Sequence, residues 1–369
     1  MIAASQPTQR PPGAKLLVVD VGGCIHHTLR SAFTKLLRPG DLVVANDAAT
    51  LPASLQGVHL PSGGAIEVRL AGRRSLHVDD IREFSALVFG AGDFHTRTET
   101  RAPPPLMAVG DRLALGPLSA TIVRFLGHKR LVSLHFDGSP DEIWAGLARH
   151  GRPIQYAHIS SPLALWDVWA PIAGRPAAFE PPSAGFILDW QTLAEMRAKG
   201  VDFATITHAA GISSTGSAEL DLRLPFDEPY HIPETTILAL RRARANRRGR
   251  IVAVGTTVVR ALEHAGRRGY IRPGESLATQ RIGSGTRLRV VDAILTGTHE
   301  PDSSHYELLR AFADDATLRR VNIELESGGY RTNEFGDSLL IERMAKAATK
   351  AHREARATRL WRGLVRATA

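Results

Sequence analysis

Apolar residues follow two rhythms along this chain. At both ends, short unbroken apolar runs alternate with stretches whose apolar positions recur every three or four residues. That is the pattern of buried strands exchanging with amphipathic helices. The sharpest instance is IVAVGTTVVRALEHA (251–265). Ile251–Val254 reads as a buried strand, Gly255-Thr256-Thr257 follows without a spacer, and Val258, Ala261, Leu262 and Ala265 then fall at helical spacing. A strand that turns into a helix over Gly-Thr-Thr sets unpaired backbone N–H groups and two hydroxyls at one mouth, suited to a polar or anionic ligand. The same feature also serves as a plain structural junction in many α/β domains.

The first segments read the same way: a strand over 15–19, a short helix over 31–37 stopped by Pro39-Gly40, and a strand over 41–45 followed by the polar pair Asn46-Asp47. From 57 to 151 the rhythm changes to alternation, clearest at Ile66, Val68 and Leu70 and looser over 112–115, 121–125 and 131–136, with glycine-bearing turns between. Several short strands at near-regular spacing predict a small β-barrel. After Pro153 the α/β exchange returns. A helix is expected over 190–199 with Gly200 as its stop, and a strand over 203–207 ending at His208. A helix over 234–247 follows, begun by Pro233, then a strand over 287–295 and a helix over 306–312. The segment 339–365 has helical propensity almost throughout. The expected organisation is an α/β body made of 1–56 and 152–369, interrupted by a barrel domain over 57–151, with a basic helical tail over 343–369.

Composition narrows the class. A 369-residue chain with 43% hydrophobic and 22% charged residues is ordinary for a globular protein. Its single cysteine, Cys24, leaves no internal disulfide and fits a reducing compartment. No run of about 18 apolar residues predicts a membrane span, and the opening MIAASQPTQRPPG lacks the apolar core of a signal peptide; a cytoplasmic location and a monomer are expected. The formal charge of +9 is clustered. RRARANRRGR (241–250) holds six arginines and no acid, and 343–369 holds eight Lys/Arg against Glu354 alone. Such balance favours a polyanion such as RNA; the base composition of a GC-rich genome accounts for it equally.

Familiar cofactor signatures are missing. No G-x-G-x-x-G follows a strand, no Walker lysine loop occurs, and no G-x-S-x-G elbow is present. His231 and Glu234 are spaced like a ligand pair, but Pro233 between them disfavours a helical metal site. No metal is expected.

Eight segments share their order and spacing with one family. PGDLVVANDAATLPASLQG (39–57) resembles PGDLLVxNDTxVxPARLxG, and GGAIEV (63–68) resembles GGxxEV. WDVWA (166–170), PPSAG (181–185) and ITHAAG (206–211) stand where the family has QTVYA, APTAG and TLHVG. AVGTTVVRALE (253–263) is similar to AVGTTSxRxLE, DAILTGTHEPDS (292–303) to DxLxTNFHLPxS, and YRTNEFGDSLLI (330–341) to YRFxSYGDAMLI. The chain thus resembles the S-adenosylmethionine:tRNA ribosyltransferase-isomerases of queuosine biosynthesis. The resemblance implies a mixed-sheet body with an inserted β-barrel, and S-adenosylmethionine as co-substrate. It also implies tRNA as partner and transfer of a rearranged ribosyl group to 7-aminomethyl-7-deazaguanine, with release of adenine and methionine. Four places depart from the pattern. Asp302 replaces a lysine, Pro225-Phe226 precede Asp227-Glu228 where the family has M-H-S-E, Ser54 replaces an arginine, and Trp166-Asp167 replace Gln-Thr. They leave open a related transferase acting on a different base or small molecule, or a non-catalytic RNA-binding protein on the same fold.

Ribosyl transfer of this kind needs a base near the carbon acidified by the sulfonium and an acid near the departing adenine. At matching motif positions, His208, Glu228, His299 and Asp337 are the acid–base candidates. Each has a plainer alternative: a strand-end cap for His208, an unremarkable loop position for His299, a solvated carboxylate for Glu228, a helix cap for Asp337. Gly255, Thr256, Thr257 and Arg260 are candidates for gripping the nucleoside or the methionine carboxylate. Asn46 and Asp47 would bind ribose hydroxyls or form an Asx turn, and Ser183 would line the pocket.

Overall fold

A computed structural model describes residues 1–245, 249–301 and 303–344. Among them a nine-stranded mixed sheet forms the body. Its spatial order is Gly274–Ala278, Glu228–Ile232, Asp202–His208, Leu42–Asn46, Ile251–Val254, Ala293–Gly297, Ser338–Glu342, Lys15–Val19 and Ile25–Leu29. The four strands from Asp202–His208 to Ala293–Gly297 are parallel, and antiparallel pairings extend the sheet on both sides.

The unbroken apolar runs are explained by covering on both faces. Leu42, Val44, Ile251, Ala253 and Ile294 pack into one core, while Val43, Ala45, Val252, Val254 and Leu295 pack into the other. Successive side chains of a strand point to opposite faces, so a strand buried on both sides must be apolar at every position. The helices Glu234–Ala245 and Thr256–Gly266 bury their apolar stripes in the first of these cores.

A closed six-stranded barrel lies between the first and second parts of the body. Its order is Leu118–His128, Leu131–Phe136, Glu83–Phe89, Gly64–Gly72, Ser54–His59 and Arg112–Leu115. The strands at Ser54–His59 and Glu83–Phe89 went unread in the sequence, as did the helix Pro140–His150, which docks Ile143 and Leu147 on the barrel core. That helix carries a full capping box between Ser139 and Glu142.

Other expectations are corrected. The strand foreseen over 287–295 covers only Ala293–Gly297. The residues before it turn their backbone N–H groups elsewhere: those of Arg289, Val290 and Val291 donate to the Glu263 carboxylate at 2.8–2.9 Å. The helix foreseen over 306–312 is Ser304–Leu309, and a longer one, Asp315–Ser327, capped by Asp314, follows it. Residues 339–341 are not helical. Ser338–Glu342 is an interior strand bonded on both sides, with Leu339 and Ile341 in one core and Leu340 in the other. Burial on two faces overrides local helical propensity there. Asp302, the end of the helix expected to reach 247, and the basic tail beyond 344 lie outside the described residues.

Candidate functional site

The four parallel strands end at His208, Asn46, Val254 and Gly297 on one side of the sheet. Ligands of open α/β sheets bind beyond such carboxyl ends. Two adjoining cavities occupy this place, of about 120 and 590 Å³.

The smaller cavity is built around the Gly-Thr-Thr turn. Gly255 has φ +98°, a conformation that a side chain resists, and it lets Val254 pass directly into the helix Thr256–Gly266. As N-cap, Gly255 has no side chain to accept from the first-turn N–H groups, and Thr256 and Thr257 of that turn line the cavity. Ser183, Glu228, Arg260 and His299 join the same lining. Seven candidates from four distant segments therefore meet at one place.

Arg260 and Glu228 form a buried ion pair within the wall. Arg260 also donates to the carbonyls of Gln280 at 3.1 Å, Phe226 at 2.7 Å and Ala278 at 2.8 Å. Four of its five N–H groups are thereby committed to the protein, which suits scaffolding rather than capture of a ligand carboxylate. Glu228 accepts the Gly211 N–H at 2.6 Å, and a Cβ at Gly211 would lie 2.8 Å from that same oxygen. Burial pushes the Glu228 carboxyl up; Arg260 and the Gly211 N–H act against that shift.

His208 sits behind this pair and does not reach the cavity. Its ring is fully buried and stacked on Tyr230 at 6.4 Å, with Nε2 3.5 Å from the Glu228 carboxylate. Neither ring nitrogen makes a hydrogen bond among the described residues. Burial, with Arg260 nearby, drives its pKa down to about 3, so the ring is neutral. His299 lies in both cavity walls with Nε2 2.9 Å from the Thr296 hydroxyl, and its ring stacks on His305 at 4.6 Å. Burial and the neighbouring His305 hold His299 well below its ordinary value, so both stacked rings remain uncharged at neutral pH.

Three further candidates, like His208, lie apart from both cavities. Asp337 accepts the Lys15 N–H at 2.6 Å and the Arg331 N–H at 2.8 Å, tying two segments together ahead of a strand rather than capping a helix. Asn46 clamps His208 through that residue's N–H at 2.9 Å and carbonyl at 3.0 Å, and its Oδ1 also accepts from Ala48, the Asx-turn arrangement. Asp47 accepts the Thr207 hydroxyl at 2.7 Å. These side chains are occupied in holding strand ends, where they fix the cleft's shape. The departures from the family pattern are also mostly remote. Ser54 donates to Glu67 in the barrel, and Trp166 is exposed, whereas Pro225 does line the smaller cavity.

Sequence reasoning missed Glu180, Tyr156, Ser213 and His305. Glu180 faces both cavities and accepts from the Tyr156 hydroxyl and from the Ser213 N–H at 3.0 Å. Its place immediately before PPSAG was the available signal, as was the location of His305 six residues after His299. Nothing in the local pattern marks Tyr156. Burial lifts the Glu180 carboxyl to about 7, opposed by the Tyr156 hydroxyl and reinforced by Glu334. Among the described residues no group of three or more His, Cys, Asp or Glu is placed to hold a metal ion, and no helix is long and apolar enough to cross a membrane.

A polar cleft beyond the strand ends, walled by a buried ion pair, neutral histidines and a carboxyl titrating near neutrality, is the architecture of an α/β enzyme carrying an appended barrel. The comparisons specify which kind. The chain belongs to the queuosine biosynthesis protein family, whose model matches residues 1–341. It is 32% identical to the S-adenosylmethionine:tRNA ribosyltransferase-isomerase of Gloeobacter violaceus, covering 92% of each chain. Against the enzyme of that name from Citrifermentans bemidjiense it is 31% identical over 92% of this chain and 96% of the relative. A solved structure, the S-adenosylmethionine tRNA ribosyltransferase of Thermotoga maritima, aligns over 92% of this chain and 96% of its own at 24% identity, with a TM-score of 0.48.

Proposed function

We propose that the paired cavities bind S-adenosylmethionine and the modified base of a tRNA, and that ribosyl transfer with isomerisation occurs between them. The chain is a transferase–isomerase of queuosine biosynthesis, an S-adenosylmethionine:tRNA ribosyltransferase-isomerase like the relatives it matches across nearly its whole length. A different acceptor, or RNA binding without catalysis, is not favoured. The observation that carries the reading is the meeting of Gly255-Thr256-Thr257, the Glu228–Arg260 pair and His299 on one cleft.

The finer assignment follows from chemistry. First-turn N–H groups and the hydroxyls of Thr256 and Thr257 suit a carboxylate or nucleoside oxygen. The sulfonium acidifies the adjacent 5′ carbon, and a neutral His299 is suited to act as the base there. Ser183 supplies a further hydroxyl to both chambers. His208, behind Glu228, is assigned a supporting part. The acceptor is 7-aminomethyl-7-deazaguanine at the wobble position, adenine and methionine leave, and the product is the epoxycyclopentanediol form of queuosine. This reading carries with it a cytoplasmic location and a basic surface in contact with tRNA phosphates.

Purified protein incubated with S-adenosylmethionine and tRNA bearing the aminomethyl base should release adenine, followed by chromatography. Absence of adenine beside an active control enzyme overturns the reading. Release that proceeds equally without tRNA redirects it to a small-molecule acceptor. Binding to tRNA should weaken steeply as salt is raised.

A further inference from the structure

The reading above leaves the larger cavity without chemistry of its own, although its lining is distinctive. Four carboxylates, those of Glu99, Glu180, Glu300 and Glu334, face it, with Arg97 as its one permanent cation among the described residues. This is an acidic chamber in a chain of net charge +9. One wall is a pair of parallel rings, Tyr156 on His158, with centroids 6.3 Å apart and planes inclined by 10°. A flat aromatic face beside clustered carboxylates suits a nucleobase that bears a positive charge. Its volume of about 590 Å³ accommodates such a group.

Glu180 stands at the neck, in the lining of both cavities. The Tyr156 hydroxyl and the Ser213 N–H both donate to its Oε1, and the Ser213 hydroxyl adds a further donor beside the carboxylate; all of these donors are neutral. The other buried carboxylate of the cleft, Glu228, is neutralised by Arg260. We propose that the larger cavity receives the acceptor base and that the Glu180 carboxylate takes the proton from its aminomethyl ammonium, the smaller cavity anchoring one end of the sulfonium nucleoside.

This assignment rests on the function proposed above. The step is a proton transfer alone. One N–H bond of the –CH2–NH3+ group breaks and an O–H bond forms on the carboxylate, leaving a neutral amine with a lone pair and a neutral carboxylic acid. The amine nitrogen is then free to bond to the ribosyl carbon. The groups that face Glu180 are Tyr156, with Arg69 behind its ring, Glu334, His299, His305 and Arg97. Burial and Glu334 favour proton uptake by Glu180, and Tyr156 opposes it.

Adenine release by wild-type protein on modified tRNA is measured first, across pH; if none occurs, the preceding reading fails before this one is reached, and this one falls with it. Given wild-type release, the rate should rise with pH through a limb near 7 and level off. Glu180→Gln should lower kcat about 100-fold or more at neutral pH. It should also replace the limb by a continuous rise toward the ordinary range of a primary amine, about 10. Tyr156→Phe should move its limb to higher pH, whatever its effect on the maximal rate, because a hydrogen bond that favours the carboxylate is gone. If Glu180→Gln does not fold, as judged by its circular dichroism, the Tyr156→Phe profile decides. The proposal is overturned if Glu180→Gln stays within about threefold of wild type, if it loses activity equally at every pH with the limb retained, or if the Tyr156→Phe limb does not move.

Discussion

Two buried glutamates, one in the barrel and one in the body, have opposite fates. Glu67 lies between Arg69, at 2.8 Å, and Arg101, and also accepts from Ser54. Burial raises its carboxyl, but the two arginines more than reverse this and hold it below the ordinary range. Glu180 is comparably buried and has a phenol and one backbone N–H in place of cations, so burial prevails and lifts it to about 7. Burial is common to both; the cation is what differs. A carboxylate locked to arginines is structural, because giving it a proton breaks the pair. One supported only by neutral donors exchanges a proton near neutral pH. Glu228 lies between these extremes, paired with Arg260 yet still shifted upward by burial.

The comparison breaks most directly at Glu67. Glu67→Gln leaves two buried guanidinium groups without a counter-charge, and the barrel should lose about 3–5 kcal/mol, read by denaturant unfolding. A loss below about 1 kcal/mol would show that the arginines are satisfied by other means. Glu180 should behave in the opposite sense. Its folded pKa is raised, so the stability it contributes is complete below about 4.5 and disappears as pH rises through about 7. Relative to Glu180→Gln, wild type should therefore lose up to roughly 3 kcal/mol between those two pH values, at 1.36 kcal/mol per unit. Parallel stability curves for the two proteins would remove the contrast. Gly255→Ala should cost about 1–3 kcal/mol, because φ +98° strains any side chain even though its nearest new neighbour, the Thr257 hydroxyl, stands 3.5 Å away. Its effect on adenine release should exceed that on melting temperature, since the turn shapes the smaller cavity. The smallest change is Ser54→Ala, which removes one donor to Glu67 and should cost about 1.5 kcal/mol; no measurable loss would mean that the arginines alone hold the carboxylate.

Much of the fold was legible. The 251–265 segment forms the strand, turn and helix that its apolar spacing implies, and the alternation at Ile66, Val68 and Leu70 belongs to a barrel strand. Ser338–Glu342 was not legible, because its partners lie about 45 and 320 residues away in the chain. The site was read unevenly for a related reason. Residues beside the Gly-Thr-Thr turn were found because local geometry places them. Asp337, Asn46 and Asp47 were candidates for chemistry beside a cap or an Asx turn; Asp337 and Asn46 hold backbone N–H groups, and Asp47 holds the Thr207 hydroxyl.

The sequence by itself determined the elements whose apolar spacing is regular, such as 251–265, because periodic burial is written in that spacing. It also set the family, since eight segments keep their order. Only the tertiary structure decided which carboxyl is free to titrate, because desolvation and Coulomb attraction depend on neighbours in space. Glu67 and its arginines are 2 and 34 positions apart in the chain, while Glu180 meets Tyr156 from 24 positions away and forms no ion pair among the described residues.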